Sequence, residues 1–359
     1  MLIPRVRVLI FLFAALINLQ HGNSFLSSTL SPNAKRLITR TVLFSNTEID
    51  ATSSVVDPST APPVIPPNIL GPPESLRNLN IGEQLNAFRK VGDKNNMNKA
   101  NFTIERVGYT PDIFCLRNFL SPSECKEIQD MVPSDMRQAE TITENDVSSR
   151  KNCTVAWIPP TGSNLVNNLV SSTANLFLSK SVLSNPSAGV EDLQVLKYGI
   201  GGEFVLHHDG EPRILTVIYY INGVGGTWFP LARTSNNVGD DPCLDMDAVK
   251  MGETFNRSRK EPQNKAQAMD LGQDLRPGED GLLVKGTGCI QKEEKQTQNE
   301  HTAWINQGDA VIFYNYCDDG SARLNWRSLH CGLPTSEEDG TKWIANHWFR
   351  VGDLIDIEG

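Results

Sequence analysis

Residues Tyr198 to Asp209 read YGIGGEFVLHHD, and this stretch decides how the rest of the chain is read. It continues a strand-like run, Leu193 to Tyr198, and ends in His207-His208-Asp209. In an extended chain, residues i and i+2 share a face. His207 and Asp209 therefore aim an imidazole nitrogen and a carboxylate oxygen at a common point, and His208 faces away. One histidine and one carboxylate are two of the three ligands in the facial triad that holds non-haem Fe(II) and leaves open positions. The third has to come from elsewhere in the chain.

Around this stretch the pattern is that of strands. LQVLKYG, FVLHHDG and RILTVIYYING are rich in β-branched and aromatic residues, with glycine, asparagine and proline between them. Further strands are expected over Gly308–Tyr316 and Lys342–Val351. Ligands at strand ends in a sheet-rich half predict an α+β protein with a double-stranded β-helix core, a cupin-like jelly roll. N-terminal helices brace it. FLSPSECKEIQDMVP places Ser121 before Pro122 and Glu124, a capping box that starts a helix running to about Met131. A second helix is predicted from Ser163 to Lys180, where Leu165, Val166, Leu169, Val170, Leu176 and Phe177 share one face. The charged, aperiodic interval at about 233–302 reads as a long, partly disordered insertion between core strands.

Of the other histidines, His21 lies near the N-terminus, His301 in the polar insertion, and His347 on the strand face opposite Trp348. His330 is the preferred third ligand, at the end of a strand and ahead of the turn residues Gly332 and Pro334. Lys342 opens the next strand. If the two strands form a hairpin, Lys342 returns close to the metal. Its ammonium there suits the distal carboxylate of a dicarboxylic co-substrate such as 2-oxoglutarate.

These residues stand in an order that resembles the prolyl 4-hydroxylase branch of the Fe(II)/2-oxoglutarate dioxygenases, alpha-subunit-like, over roughly Val107–Val351 apart from the insertion. Tyr198, Gly201, Phe204, His207 and Asp209 match Y-x-x-G-x-x-F-x-x-H-x-D. Arg213, Thr216, Tyr220 and Asn222 match R-x-x-T-x-x-x-Y-x-N. Gly225 to Pro230, GGTWFP, resembles GGETxFP with one residue fewer and no acidic position. Gly308-Asp309-Ala310 with Phe313, Ser328-Leu329-His330, Gly340-Thr341-Lys342-Trp343 and Trp348 follow in order, and FLSPSEC and Ser149-Arg150 match upstream. The resemblance implies that His207, Asp209 and His330 bind Fe(II) and that Lys342 receives 2-oxoglutarate. It also implies that Tyr198, Tyr220 and Thr227 line that pocket. O2 is then consumed, succinate and CO2 leave, a hydroxyl is placed on the substrate, and ascorbate restores oxidised iron. The substrate implied is a prolyl residue in a protein or peptide. The same chemistry on another side chain or a small molecule stays open, as does a jelly-roll binding module that has lost turnover. A structural polar pair at His207 and Asp209 is disfavoured by the arrival of His330 and Lys342 in family order.

The periphery bears on address and partners. Arg5 and Arg7 precede an apolar run, Val8–Leu19, and the small residues Gly22-Asn23-Ser24. This reads as a signal peptide, or as a membrane anchor if it stays uncleaved. The following Ser/Thr-rich stretch has no acidic residue before Glu48. Residues 1–47 are thus expected to be a presequence for the endoplasmic reticulum or, as a bipartite signal, for a plastid. Residues 48–104 contain APPVIPPNILGPPE and are expected to be a low-order linker, with the catalytic domain over 105–352. The net charge of −9 argues against a general nucleic-acid partner, which needs a basic surface. Seven cysteines without a C-x-x-C argue against a zinc ribbon, and Cys317 with Cys331 is a candidate disulfide, with two buried thiols as the alternative.

Overall fold

Short runs rich in β-branched and aromatic residues build most of the described protein as strands. The computed structural model describes residues 70–92, 98–139, 150–184, 188–210, 212–235, 243, 275–289, 300–320 and 323–351. Residues 1–47, expected to be a presequence, lie outside the described residues. The strands are β1 (Gln84–Val91), β2 (Asn98–Gly108), β3 (Ile113–Arg117), β4 (Arg137–Gln138), β5 (Arg150–Ile158), β6 (Ala188–Val190) and β7 (Leu193–His207). They continue with β8 (Arg213–Tyr220), β9 (Gly226–Phe229), β10 (Leu282–Gly286), β11 (Thr302–Ile305), β12 (Ala310–Tyr314), β13 (His330–Leu333) and β14 (Lys342–Val351). The helices are α1 (Glu74–Arg77), α2 (Pro122–Asp130), α3 (Asn164–Phe177) and α4 (Lys180–Leu183).

β7 is the hinge of the architecture. Its first half pairs with β14 on one side and β5 on the other, inside a large sheet ordered β4-β5-β7-β14-β8-β12-β3-β2-β1. Its second half pairs with β13, which leads to β9, β10 and β11 in a smaller sheet. Every pairing is antiparallel except β10 with β11. The strand changes sheets at Gly199–Gly202. Gly201 has φ +67°, and a Cβ on Gly202 would lie 2.6 Å from the Gly199 carbonyl oxygen and 2.7 Å from that of Asn152. Only glycine fits such a bend. The sheets enclose one apolar core, including Leu196, Ile218, Phe229, Val284, Val311, Phe313 and Ile344. Arg117 on β3 donates to the Trp304 carbonyl on β11, so the smaller sheet's last strand folds back onto the large sheet. This is the expected double-stranded β-helix.

The expected capping box is present: Ser121 Oγ accepts from Glu124 N–H and the Glu124 carboxylate accepts from Ser121 N–H. The second helix is shorter than expected. It ends at Phe177 because Leu178 is extended and Ser179 caps α4, its hydroxyl accepting from Val182 N–H. Among the described residues no helix is long and apolar enough to cross a membrane.

Three expectations are corrected. Residues 70–92 and 98–104 are not a low-order linker: Leu70, Leu76, Phe102 and Ile104 are buried, and β1 and β2 extend the large sheet. Buried Arg89 bonds the Phe119 carbonyl and the Glu124 carboxylate, fastening β1 to α2. The alternation Phe102, Ile104 is a strand signal about thirty residues beyond the proline run that ends at Pro73. The insertion at 233–302 contains a core strand, β10, between β9 and β11; the remainder lies largely outside the described residues. Finally, Cys317 is disulfide-bonded to Cys243, not to Cys331. Cys331 sits on β13 in the small sheet against Trp228 and Leu283, while Cys317 follows β12 in the large one.

Candidate metal centre and co-substrate pocket

The β7–β13 pairing brings two histidines together. His207 closes β7, His330 opens β13 instead of ending a strand, and the two are register partners with ring centroids 4.2 Å apart. Asp209 follows two residues after His207. The ligand atoms of His207, Asp209 and His330 all lie within 4.8 Å of one another. His207 Nε2 is 3.8 Å from Asp209 Oδ1, and His330 Nε2 is 3.9 Å from Asp209 Oδ2. Both ring orientations are fixed from behind. His207 Nδ1–H donates to the Val205 carbonyl at 2.8 Å, and His330 Nδ1–H donates to the Ser328 carbonyl at 2.9 Å. A carbonyl can only accept, so each Nε2 keeps its lone pair for the cluster.

Asp209 is oriented by Thr216, whose hydroxyl donates to Oδ2 at 2.6 Å. Burial alone would raise its pKa. His330, His207, Arg213 and the Thr216 hydroxyl outweigh that and hold it at about 2. Burial, then the neighbouring His330, pushes His207 well below the usual histidine range. A carboxylate beside a neutral imidazole is the form a divalent cation requires. The donor set fits a non-haem iron site. His208 points away, as expected: its Nδ1 accepts from Gly210 N–H at 2.9 Å, and its Nε2 is 2.8 Å from Ser328 Oγ. It thereby braces the segment that delivers His330.

Lys342 reaches the same pocket by a different route from the one expected. β13 and β14 do not form a hairpin; β7 lies between them and pairs with both. Lys342 opposes Tyr198 on β7, three residues before the strand changes sheets at Gly201. It is 1% exposed, its Nζ donates to the Gly226 carbonyl at 2.9 Å, and it lies 5.4 Å from the Tyr198 ring centroid. Gly225, at φ +88°, makes room: a Cβ there would stand 2.3 Å from Lys342 Cδ.

From Lys342, every second residue of β14 lines the pocket: Ile344, Asn346 and Trp348. Thr216 and Ile218 on β8, Tyr198 and Phe204 on β7, Thr227 on β9 and Gly332 on β13 complete the wall. Tyr198 and Thr227 both stand in this wall. Tyr220 stands one layer back, its hydroxyl 2.8 Å from Thr227 Oγ1. Trp348 is a wall residue with the Arg213 guanidinium 4.1 Å from its ring centroid. Phe204, Ile218, Asn346 and Trp348 were missed as site residues, although counting in twos from Lys342 finds two of them. His347 faces the other way and bonds the Tyr219 hydroxyl at 3.1 Å.

Residues 193–350 match the family model of the 2OG-Fe(II) oxygenase superfamily. A probable prolyl 4-hydroxylase of Arabidopsis thaliana is 26% identical over 69% of this chain and 71% of its own length. A putative prolyl 4-hydroxylase of Acanthamoeba polyphaga mimivirus is 23% identical over 73% of this chain and 86% of its own. A transmembrane prolyl 4-hydroxylase of Mus musculus is 28% identical over 45% of this chain, a match that spans only 30% of that relative.

Proposed function

We propose that this chain, which belongs to the 2OG-Fe(II) oxygenase superfamily through residues 193–350 and is a 2-oxoglutarate-dependent dioxygenase, hydroxylates prolyl residues in a protein or peptide substrate. One atom of O2 enters the substrate as hydroxyl, the other enters succinate, and the oxoacid carboxylate leaves as CO2. The observation that carries this is one pocket holding both the His207-Asp209-His330 cluster and the buried Lys342. His207, Asp209 and His330 would hold Fe(II), which when bound supplies the activation of O2. Lys342 provides an ammonium for the distal carboxylate of 2-oxoglutarate, and the low-dielectric surroundings strengthen that pairing. Tyr198 and the Tyr220–Thr227 hydroxyl pair shape this end of the pocket. The walls of Ile218, Ile344, Phe204 and Trp348 keep water from the reacting atoms. Prolyl specificity is supported by the names of the relatives. The same chemistry on another side chain or a small molecule is the competing reading. Ascorbate as reductant for inactivated iron, and delivery to the secretory pathway or a plastid through residues 1–47, belong to the same proposal.

The test loads the full chain anaerobically with Fe(II) and 2-oxoglutarate, adds O2 with proline-containing peptides or small molecules, and measures succinate and hydroxylated product. Hydroxyproline formed with stoichiometric succinate supports the reading. Succinate coupled only to a non-prolyl product selects the competing one. No Fe(II) binding by the folded chain overturns both.

A further inference from the structure

The inner face of the large sheet does not stop at the pocket. Trp157 on β5 opposes Gln194 on β7, which opposes Asn346 on β14, which opposes Ile218 on β8. The four side chains therefore form one row on one face. Ile218, Asn346 and Gln194 are 4%, 6% and 3% exposed, but Trp157 is 44% exposed. Its ring centroid is 6.2 Å from that of Trp348, which lines the pocket. An exposed tryptophan alone means little. Here its ring continues the pocket wall outward, so a ligand too long for the pocket would pass over it.

The same row holds a second sign of a ligand. Asn346 Oδ1 is buried in the pocket wall with no hydrogen-bond partner. Its amide orientation is set by Gln194, whose Oε1 receives Asn346 Nδ2 at 3.4 Å and Arg150 Nη2 at 3.2 Å. A buried acceptor is seldom left unsatisfied. A bound group presenting an N–H would satisfy it.

We propose that Trp157 and Asn346 form a docking platform for an extended, proline-containing chain: Trp157 seats a residue flanking the one hydroxylated, and Asn346 accepts a backbone N–H. This rests on the peptide-substrate reading above. Proline-rich chains hold the extended polyproline II form without internal hydrogen bonds, leaving their N–H groups to a receptor and their rings to aromatic faces. Proline itself has no N–H, so the donor must be a non-prolyl neighbour of the target.

The test uses the full chain with Fe(II) and 2-oxoglutarate, comparing a prolyl tripeptide with a proline–alanine peptide of roughly ten residues, about 30 Å in polyproline II. Trp157→Ala should raise KM for the long peptide about tenfold while the tripeptide KM stays within about twofold, and Trp157→Phe should recover most of the difference. Asn346→Ala should erase the preference for the long peptide over its backbone N-methylated analogue. Long-peptide KM unmoved in Trp157→Ala, with wild-type hydroxylation intact, overturns the platform alone. Wild-type enzyme that hydroxylates neither peptide overturns the prolyl reading and the platform with it. A matched loss for both peptides shows a structural role for Trp157 and also overturns the platform.

Discussion

The two faces of β14 carry similar residues to opposite ends. Its inner face holds Lys342, Ile344, Asn346 and Trp348 against the metal cluster; its outer face holds Trp343, Ala345, His347 and Phe349. Each face has a buried basic side chain, Lys342 inside and His347 outside. The inner one shares a cavity with two imidazoles and a carboxylate. The outer one meets the Tyr219 hydroxyl and the Phe349 ring. Residue type does not separate a functional histidine from a packing one here. The strand period does, together with which neighbour lies across the ladder.

The comparison breaks most sharply at the histidines. His330→Ala removes a ligand and leaves His207 and Asp209 facing a gap, so Fe(II) binding and turnover should fall below detection. His347→Ala should leave the metal stoichiometry intact while costing about 2 kcal/mol of stability for the cavity left in the core. Metal analysis of both purified variants beside a denaturant titration separates the outcomes. Loss of metal in His347→Ala would end the distinction between the two faces.

At Lys342 the expected loss is smaller. Lys342→Ala should raise KM for 2-oxoglutarate by about 100-fold, the scale of about 3 kcal/mol for a buried charge-assisted pair. Metal binding should be retained. Gly225→Ala is the gentler version, because the new Cβ would displace the Lys342 stem and an L residue is strained at φ +88°. Its 2-oxoglutarate KM should rise about tenfold with a stability loss of about 1–3 kcal/mol, read by steady-state kinetics and thermal melting. An unchanged KM would place the co-substrate away from Lys342.

Much of the centre is legible in the sequence. The H-x-D spacing needs only the extended-chain period, and His330 and Lys342 stand in a recognisable order. What hid was long-range. That β7 lies between β13 and β14 follows from glycines which let one strand serve two sheets, and local pattern reports no partner for either half. β10 was lost because its five residues sit within charged sequence. The β1–β2 pair was lost because a proline run drew attention from the alternation at Phe102 and Ile104. The Cys243–Cys317 bond could not be derived, since pairing depends on which loops the rolled sheet brings together. Trp157 was unreadable for the same reason: its face is set by register across three strands.

The smallest effect sharpens the outer face. Burial pushes His347 down to about 3 from the usual 6.5. Between those values the unfolded chain binds a proton that the folded chain refuses. Stability from this group is therefore complete above about pH 6.5 and is lost on acidification, at about 1.4 kcal/mol per pH unit. His347→Phe keeps a ring in the core and gives up the bond to Tyr219, which should lower stability at pH 7 by about 1 kcal/mol. It should also make unfolding free energy less steep with pH by about 1.4 kcal/mol per unit between roughly pH 4 and 6. Urea titrations across that window measure the slope. An identical slope in the variant would mean that His347 takes up its proton in the folded state, and the outer face would then be wetter than its packing implies.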